Sequence, residues 1–398
     1  LEHTFVDLGM SPLCQTHIEP AELNQMERFY PLHAYVCGNC FLVQIDEFVS
    51  PDEIFSDYAY LSSYSDSWVE HARRYVEMIT KRLGLGSGSH VVEIASNDGY
   101  LLQHFVAKGI PCLGVEPAAN VAEIARAKGI ETEACFFGEE SAKRIASDYR
   151  KADLILGNNV LAHVPNIHDF VQGLKELLAE GGTVTMEFPH LLKLMQLNQF
   201  DTIYHEHFSY LSFFVVEKIF ASHGLTLYDV DEVPTHGGSI RIYARHAEDE
   251  SKPVGEAVGR LRRKEFEAGL DRLETYASFT EQVKETKRAL LDFLIRAHRE
   301  GKTVVGYGAP GKGNTLLNYC GIREDFLAYT VDRNPLKQGR YTPGTRIPIL
   351  APEKIRETKP DYVLILPWNL KEEISKQHDY VSEWGGRFVV PIPKVQVL

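Results

Sequence analysis

From about residue 90 to 248, apolar positions fall into short unbroken runs separated by amphipathic stretches. His90-Val-Val-Glu-Ile-Ala-Ser96, Cys112-Leu-Gly-Val-Glu116, Leu154-Ile-Leu-Gly-Asn158 and Gly182-Thr-Val-Thr-Met-Glu-Phe188 are runs of this kind. Short apolar runs without alternation predict strands covered on both faces, as in a parallel sheet. Leu101, Leu102, Phe105 and Val106 follow the first run at helical spacing. Leu225–Val230 and Ser239–Ala244 alternate instead, which predicts an antiparallel edge. The fold class is therefore α/β, a doubly wound sheet whose ligands belong beyond the carboxyl ends of its strands.

A second series of strands and helices begins at Thr303. Thr303-Val-Val-Gly306 runs into a glycine-rich turn, and Leu327–Val331, Tyr362–Leu366 and Arg387–Val390 continue the layer. Between the two series, Arg260–Lys264 and Glu265–Glu274 alternate in charge as solvated helix faces do. Leu290, Leu291, Phe293 and Leu294 predict a helix packed on the last layer. Residues before about 68 are turn-rich and aromatic. The expected domains are 1–68, 69–248 and 249–398.

Composition narrows the function classes. Asp and Glu outnumber Lys and Arg by 55 to 42, a net charge of −13, which argues against general nucleic-acid binding because phosphate contacts need a basic face. No run of 18 apolar residues offers a membrane span. The six cysteines lack the tight pairing of a disulfide framework and no secretory signal is evident, so a reducing, cytoplasmic setting is expected. A monomer is the default expectation.

The first strand and turn of the central domain indicate the ligand. Glu93 lies in the strand, and Ser96, Asn97, Asp98 and Gly99 form a tight acidic turn into the next helix. A phosphate cradle would have several glycines and no fixed carboxylate beside the anion. Glu116 ends the second strand, 18 residues beyond Asp98, where it is able to accept both hydroxyls of a ribose. A zwitterionic adenosine ligand carrying a sulfonium, S-adenosylmethionine, suits this pattern, which is similar to the first two motifs of class I methyltransferases. A generic nucleotide-binding layer is the alternative. Asn158 and Asn159, at another strand end, either meet the cofactor or fill the strand terminus.

The chemistry concentrates at Tyr204-His205-Glu206-His207, a polar run between Ile203 and the apolar Phe208, Leu211, Phe213 and Phe214. Buried imidazoles and carboxylates need partners, so such a run is unsuited to a plain core strand and suits a catalytic loop. His205 is also readable as a packed, hydrogen-bonded core residue. His163, just before Val164-Pro165, is either a proton relay or a neighbour of a helix start. In the C-terminal layer, Gly306-Tyr-Gly308-Ala-Pro-Gly311 satisfies G-x-G-x-x-G, and Asp332 follows 21 residues past Gly311. That spacing keeps open a nicotinamide-dependent sugar oxidoreductase, although Pro310 and Lys312 are unusual for a dinucleotide loop. Lys312 and Asn314 are equally candidates to hold the pyrophosphate of a nucleotide-linked substrate, and Arg241 is either a second diphosphate cation or a surface charge. Cys37-Gly-Asn-Cys40 reads as one knuckle of a zinc ribbon or as two free thiols in a turn. A second Cys-x-x-Cys is missing, Cys14 and His17 being a weak substitute. The start at Leu1 is consistent with a truncated N-terminus.

Taken in order, the Cys37/Cys40 knuckle, Glu93-Ile-Ala-Ser-Asn-Asp-Gly99, Tyr204-His-Glu-His-Phe-Ser-Tyr-Leu-Ser212, Gly237-Gly-Ser-Ile-Arg241 and Gly306-Tyr-Gly-Ala-Pro-Gly-Lys-Gly-Asn314 resemble the nucleotide-sugar C-methyltransferases. These include the C-3 methyltransferases of antibiotic deoxysugar pathways. The resemblance covers essentially the whole chain. It implies a zinc-binding N-terminal domain, a class I S-adenosylmethionine domain and a C-terminal Rossmann-like domain without NAD. The implied substrate is a thymidine-diphosphate 4-keto-deoxysugar lying between the domains. By the same resemblance His207 takes the α-proton, Tyr204 and Glu206 orient the sugar, and His163 assists at the ketone oxygen. Tyr58 or Tyr60 touches the sugar or its phosphates, core packing being the alternative for both.

Overall fold

The computed structural model describes residues 2–55 and 61–398. The chain forms two compact units, and it enters each of them more than once. The first unit gathers residues 1–48, 191–207 and 270–398; the second gathers residues 49–190 and 208–269.

The first unit opens with three antiparallel strands, β1 (His3–Ser11), β2 (Tyr30–Val36) and β3 (Val43–Ile45). The pairing of β1 with β2 shifts register twice, which bends the ribbon.

The second unit holds β4 (Val91–Ile94), β5 (Cys112–Val115), β6 (Thr132–Glu133), β7 (Ala152–Asn158), β8 (Leu178–Pro189), a short β9 (Ser209–Tyr210), β10 (Leu225–Val233) and β11 (Ser239–His246). Seven of these form one sheet in the order β10-β11-β8-β7-β4-β5-β6. Every pairing from β8 to β6 is parallel, and β11 lies antiparallel between β8 and β10. That reversed strand, inserted one place from the edge, is the topology of the class I S-adenosylmethionine methyltransferases. Ser239–Ala244 was expected at an edge; instead β11 is flanked on both sides, and seven of its eight residues are buried. The helix Asp66–Leu83 covers this sheet with Ala72, Tyr75, Val76 and Ile79, one face at helical spacing. Ser65 caps its start and Gly84, at φ 65°, ends it in the left-handed region.

The helix Glu256–Glu267 departs from the expected solvated face at one position. Glu265 is fully buried, accepts the backbone N–H groups of Phe213 and Phe214 at 2.6 and 2.9 Å, and meets His190 at 2.7 Å. It caps the helix Phe213–Ser222 from outside, a task for a carboxylate beside a helix start.

Returning to the first unit, β12 (Val304–Tyr307), β13 (Thr330–Val331), β14 (Ile349–Leu350), β15 (Tyr362–Ile365), β16 (Arg387–Val390) and β17 (Gln396–Val397) form a sheet in the order β14-β13-β12-β15-β16-β17. All its pairings are parallel except that of β17 with β16. The helix Phe279–Arg299 buries Phe279, Val283, Leu290 and Leu294; Phe293 meets Tyr362 edge-on at 5.2 Å, as the apolar spacing predicts. Among the described residues no helix is long and apolar enough to cross a membrane.

Candidate active site

In the second unit a cavity of about 440 Å³ opens beyond the carboxyl ends of β4, β5 and β7. Its wall includes Glu116, Asn158, Asn159 and His163, four of the residues singled out by sequence. Phe136, Phe137, Trp68 and Tyr100 supply aromatic surface, and Asn97, Asp169 and His236 polar groups. The Glu116 carboxylate accepts the N–H groups of Asn97 and Ala118, each at 2.9 Å, which fixes its plane; burial nonetheless raises its pKa. Asn159 Oδ1 is buried and has no hydrogen-bond partner among the described residues, and the Asn158 amide, also buried, reaches only toward Tyr100 in the same wall. Amides so placed at the mouth of parallel strands are donors and acceptors held ready for a ligand. Ala95, Asn97 and Asn159 all stand at positive φ around this wall, between 50° and 57°, a conformation that costs each of them energy and clusters at functional sites.

Four other residues expected at the cofactor, Glu93, Ser96, Asp98 and Gly99, are not in the wall. Ser96, Asp98 and Gly99 shape the turn instead. Gly99 has φ 77°, and a Cβ there would lie 2.2 Å from Ile130 Cδ1. Ser96 Oγ occupies the space that a side chain on Gly114 would need. Asp98 Oδ2 receives the Lys128 ammonium at 2.9 Å and the hydroxyl of Ser63, which ties the segment after residue 60 to the turn. Glu93 is buried with both oxygens unpartnered, and burial, then Glu116 and Asp98, push its pKa well up. Glu116→Ala is expected to weaken S-adenosylhomocysteine binding about 10–100-fold, the worth of one or two hydrogen bonds to a charged group, measured by titration calorimetry.

A charge cluster unforeseen from sequence sits at the end of β8. Glu187 is buried beside His71 (3.0 Å), Thr235 (2.8 Å) and the guanidinium of Arg241, which lies 4.6 Å from the Tyr75 ring centroid. Burial pushes the carboxyl up, but the His71 hydrogen bond and the charge of Arg241 prevail and hold it at about 2. The diphosphate expectation for Arg241 is thereby corrected: its side chain is buried and its charge is matched inside the sheet. Since the folded value of Glu187 lies below its ordinary 4.5, its stabilisation is complete above that pH and is lost as pH falls toward about 2. We expect roughly 3 kcal/mol of unfolding free energy to disappear across that window, and Glu187→Gln to flatten the acid limb of a denaturation-versus-pH curve.

The polar run Tyr204–His207 lies in the first unit. The Tyr204 and His207 rings lie with centroids 4.1 Å apart and planes tilted by 32°, and His207 Nδ1 lies 2.8 Å from the Thr202 carbonyl oxygen. A carbonyl only accepts, so the proton sits on Nδ1 and Nε2 is the basic nitrogen of the neutral ring. His205 is held by the Pro31 carbonyl at 3.1 Å and by the edge of Tyr30; burial lowers its pKa, the packed alternative among its two readings. Glu206 accepts from the Cys14 thiol at 3.4 Å. Tyr58 and Tyr60 lie outside the described residues.

The glycine-rich turn after β12 turns its polar groups inward. Asp332 Oδ2 accepts the Ala309 N–H and Oδ1 the Asn334 N–H, both at 2.8 Å, so the carboxylate spaced for a ribose caps the turn. Asn314 donates to the Cys14 carbonyl at 2.6 Å, and Lys312 is held by Asn369 at 2.9 Å, over the Trp368 ring. The two residues expected at a pyrophosphate thus have protein partners. Cys37 and Cys40 are half-buried, and the N–H groups of Cys40 and Asn39 pull the Cys37 thiol below its usual value. They form no group of three or more metal-ligating side chains among the described residues, and Cys14 and His17 do not join them.

Three family models match successive stretches of the chain. Residues 1–55 match a family model described as "Putative zinc binding domain", residues 68–230 a methyltransferase domain, and residues 234–393 a C-methyltransferase C-terminal domain. The chain is 37% identical to the C-methyltransferase NovU of Streptomyces niveus over 393 residues, which cover 99% of this chain and 93% of that one. A Chelativorans ubiquinone biosynthesis O-methyltransferase is 28% identical over 96 residues, 24% of this chain and 38% of that one. Among solved structures, an S-adenosylmethionine-dependent methyltransferase from Clostridium acetobutylicum aligns at 12% identity, TM-score 0.36, over 45% of this chain and 92% of that one. The near full-length match at this identity, with the C-methyltransferase C-terminal domain and the class I sheet, decides the family: the chain belongs to the S-adenosylmethionine-dependent C-methyltransferases.

Proposed function

We propose that the protein methylates the carbon next to the ketone of a nucleotide-linked 4-keto-deoxysugar, with His207 as the base. The observation carrying this reading is the Nδ1 contact to the Thr202 carbonyl, which leaves Nε2 as the proton acceptor. A carbon beside a ketone becomes a nucleophile only after losing a proton, so the reaction needs a base and a donor for the enolate oxygen. His207 Nε2 takes the α-proton. The hydroxyl of Tyr204, whose ring lies beside that imidazole, donates to the developing oxyanion, and Glu206 orients the sugar hydroxyls. His163, in the wall with Asn158 and Asn159, assists at the ketone oxygen.

When bound, S-adenosylmethionine supplies an electrophilic methyl on a positive sulfur. Glu116 holds its ribose hydroxyls, Phe136 and Phe137 flank its adenine, and Asn158 and Asn159 meet its polar groups. The enolate carbon forms the new C–C bond, the C–S pair returns to sulfur, and the two charges cancel. The thymidine-diphosphate form of the sugar is part of this proposal, as are a cytoplasmic monomer and a structural zinc on Cys37 and Cys40 with two further donors.

The test incubates a panel of thymidine-diphosphate 4-keto-deoxysugars with methyl-labelled S-adenosylmethionine and locates the label by NMR. A label in the methoxy region would replace this reading with O-methylation. No turnover of any member would remove the sugar class.

A further inference from the structure

We propose that Asp201, fixed by the indole of Trp368, is a positioning residue that holds the Thr202 carbonyl in place and thereby sets the tautomer and aim of His207. The inference deepens the reading of His207 as base and rests on it.

Phe200–Thr202 is a single 3-10 turn, closed by Ile203 N–H to the Phe200 carbonyl at 3.0 Å and Thr202 N–H to the Gln199 carbonyl at 3.1 Å. One turn of this kind has too few internal bonds to fix the direction of a carbonyl by itself. An anchor from outside is therefore needed, and the structure has one. Asp201 is 0% exposed, and the Trp368 indole N–H donates to its Oδ2 at 2.7 Å. Trp368 is itself buried, and Lys312 stands 5.0 Å from its ring centroid, held by the neighbouring Asn369. The residue after Asp201 provides the acceptor for His207.

Folding stability does not account for a carboxylate here. Beyond the N–H groups of its own turn, Asp201 Oδ1 has no partner among the described residues, and burying it costs free energy that an apolar side chain would avoid. Burial raises the carboxyl to about 6, while the Lys312 charge, the indole hydrogen bond and the backbone N–H groups of Asp201 and Thr202 hold it down. Cys320, on the same helix as Lys312, is the other titratable group facing it, and burial keeps that thiol neutral. A costly buried acid adjoining the carbonyl that orients the base is a feature of function.

The experiment follows α-hydrogen exchange into D2O, with dTDP-4-keto-6-deoxyglucose as probe and no methyl donor, alongside the nitrogen-15 shifts of labelled histidine. The His207 signal is assigned by its loss in His207→Ala. Trp368→Phe keeps a ring and removes only the donor; Asp201→Ala removes the acceptor; Asp201→Asn keeps one. We expect exchange to fall about 10–100-fold in the first two, as small misplacements of a reacting group do, with S-adenosylhomocysteine affinity unchanged and a mixture of His207 tautomers. Asp201→Asn is expected to restore the Nδ1–H tautomer and most of the rate. If Trp368→Phe and Asp201→Asn both keep wild-type exchange and tautomer while Asp201→Ala does too, or fails to fold, the positioning role is overturned. Exchange that persists in His207→Ala sinks the base assignment itself, a separate result.

Discussion

Replacing His207 by alanine is expected to lower methyl transfer about 10²–10⁴-fold, the usual contribution of a general base, and to remove α-proton exchange from the sugar. Donor binding should survive, because the cavity walled by Glu116, Asn158 and Asn159 belongs to the other unit and has no residue in common with the 204–207 run. The expected pattern is therefore a collapse of kcat with S-adenosylhomocysteine affinity unchanged. His205→Ala separates the two imidazoles of the run. Its side chain is held by the Pro31 carbonyl, so it should lose stability and keep the exchange reaction. Equal loss of exchange in both variants would mean that the base has been misassigned.

Glu187→Ala is expected to have the largest effect on folding. It leaves the Arg241 guanidinium in the middle of β11, buried, with no carboxylate beside it. Breaking a buried ion pair from one side costs about 3–5 kcal/mol, a large share of the stability of an ordinary domain. His71 and Thr235 lose their acceptor in the same substitution. Urea denaturation followed by circular dichroism reads the loss directly. A shift below about 1 kcal/mol would indicate that water or another acceptor reaches Arg241.

Much of this architecture is legible in the chain. The strands at Val91, Cys112, Leu154 and Thr183 are short apolar runs, and the Gly99 turn announces itself by a residue able to take positive φ. Glu116 falls in the cavity wall because a strand-end acid has one obvious use, and Asn158 and Asn159 because strand ends face the ligand side. What periodicity cannot supply is which charge answers which. Arg241, Glu265 and Asp332 look like solvent or ligand charges in sequence, and each finds its partner at a distance along the chain: Glu187, the start of an earlier helix, and the turn at Ala309. Phe136 and Phe137 were missed for another reason. They follow β6, a strand of two residues, too short for any apolar rhythm to register. The Trp368 anchor for Asp201 spans 167 positions and leaves no local trace.

The interleaved path of the chain sets limits on recombination between relatives. The stretch 191–207 leaves the unit that holds the cavity, and the chain returns to that unit at Phe208, so the proposed base is carried on the excursion. Exchanging a contiguous methyltransferase block therefore transplants Asp201, His205 and Glu206 without Trp368, Pro31 and Cys14, their respective partners on remote segments. A functional chimera has to be spliced at four junctions, near residues 48, 190, 207 and 269. Crossovers elsewhere should give soluble chains that still capture the methyl donor and deliver it to nothing.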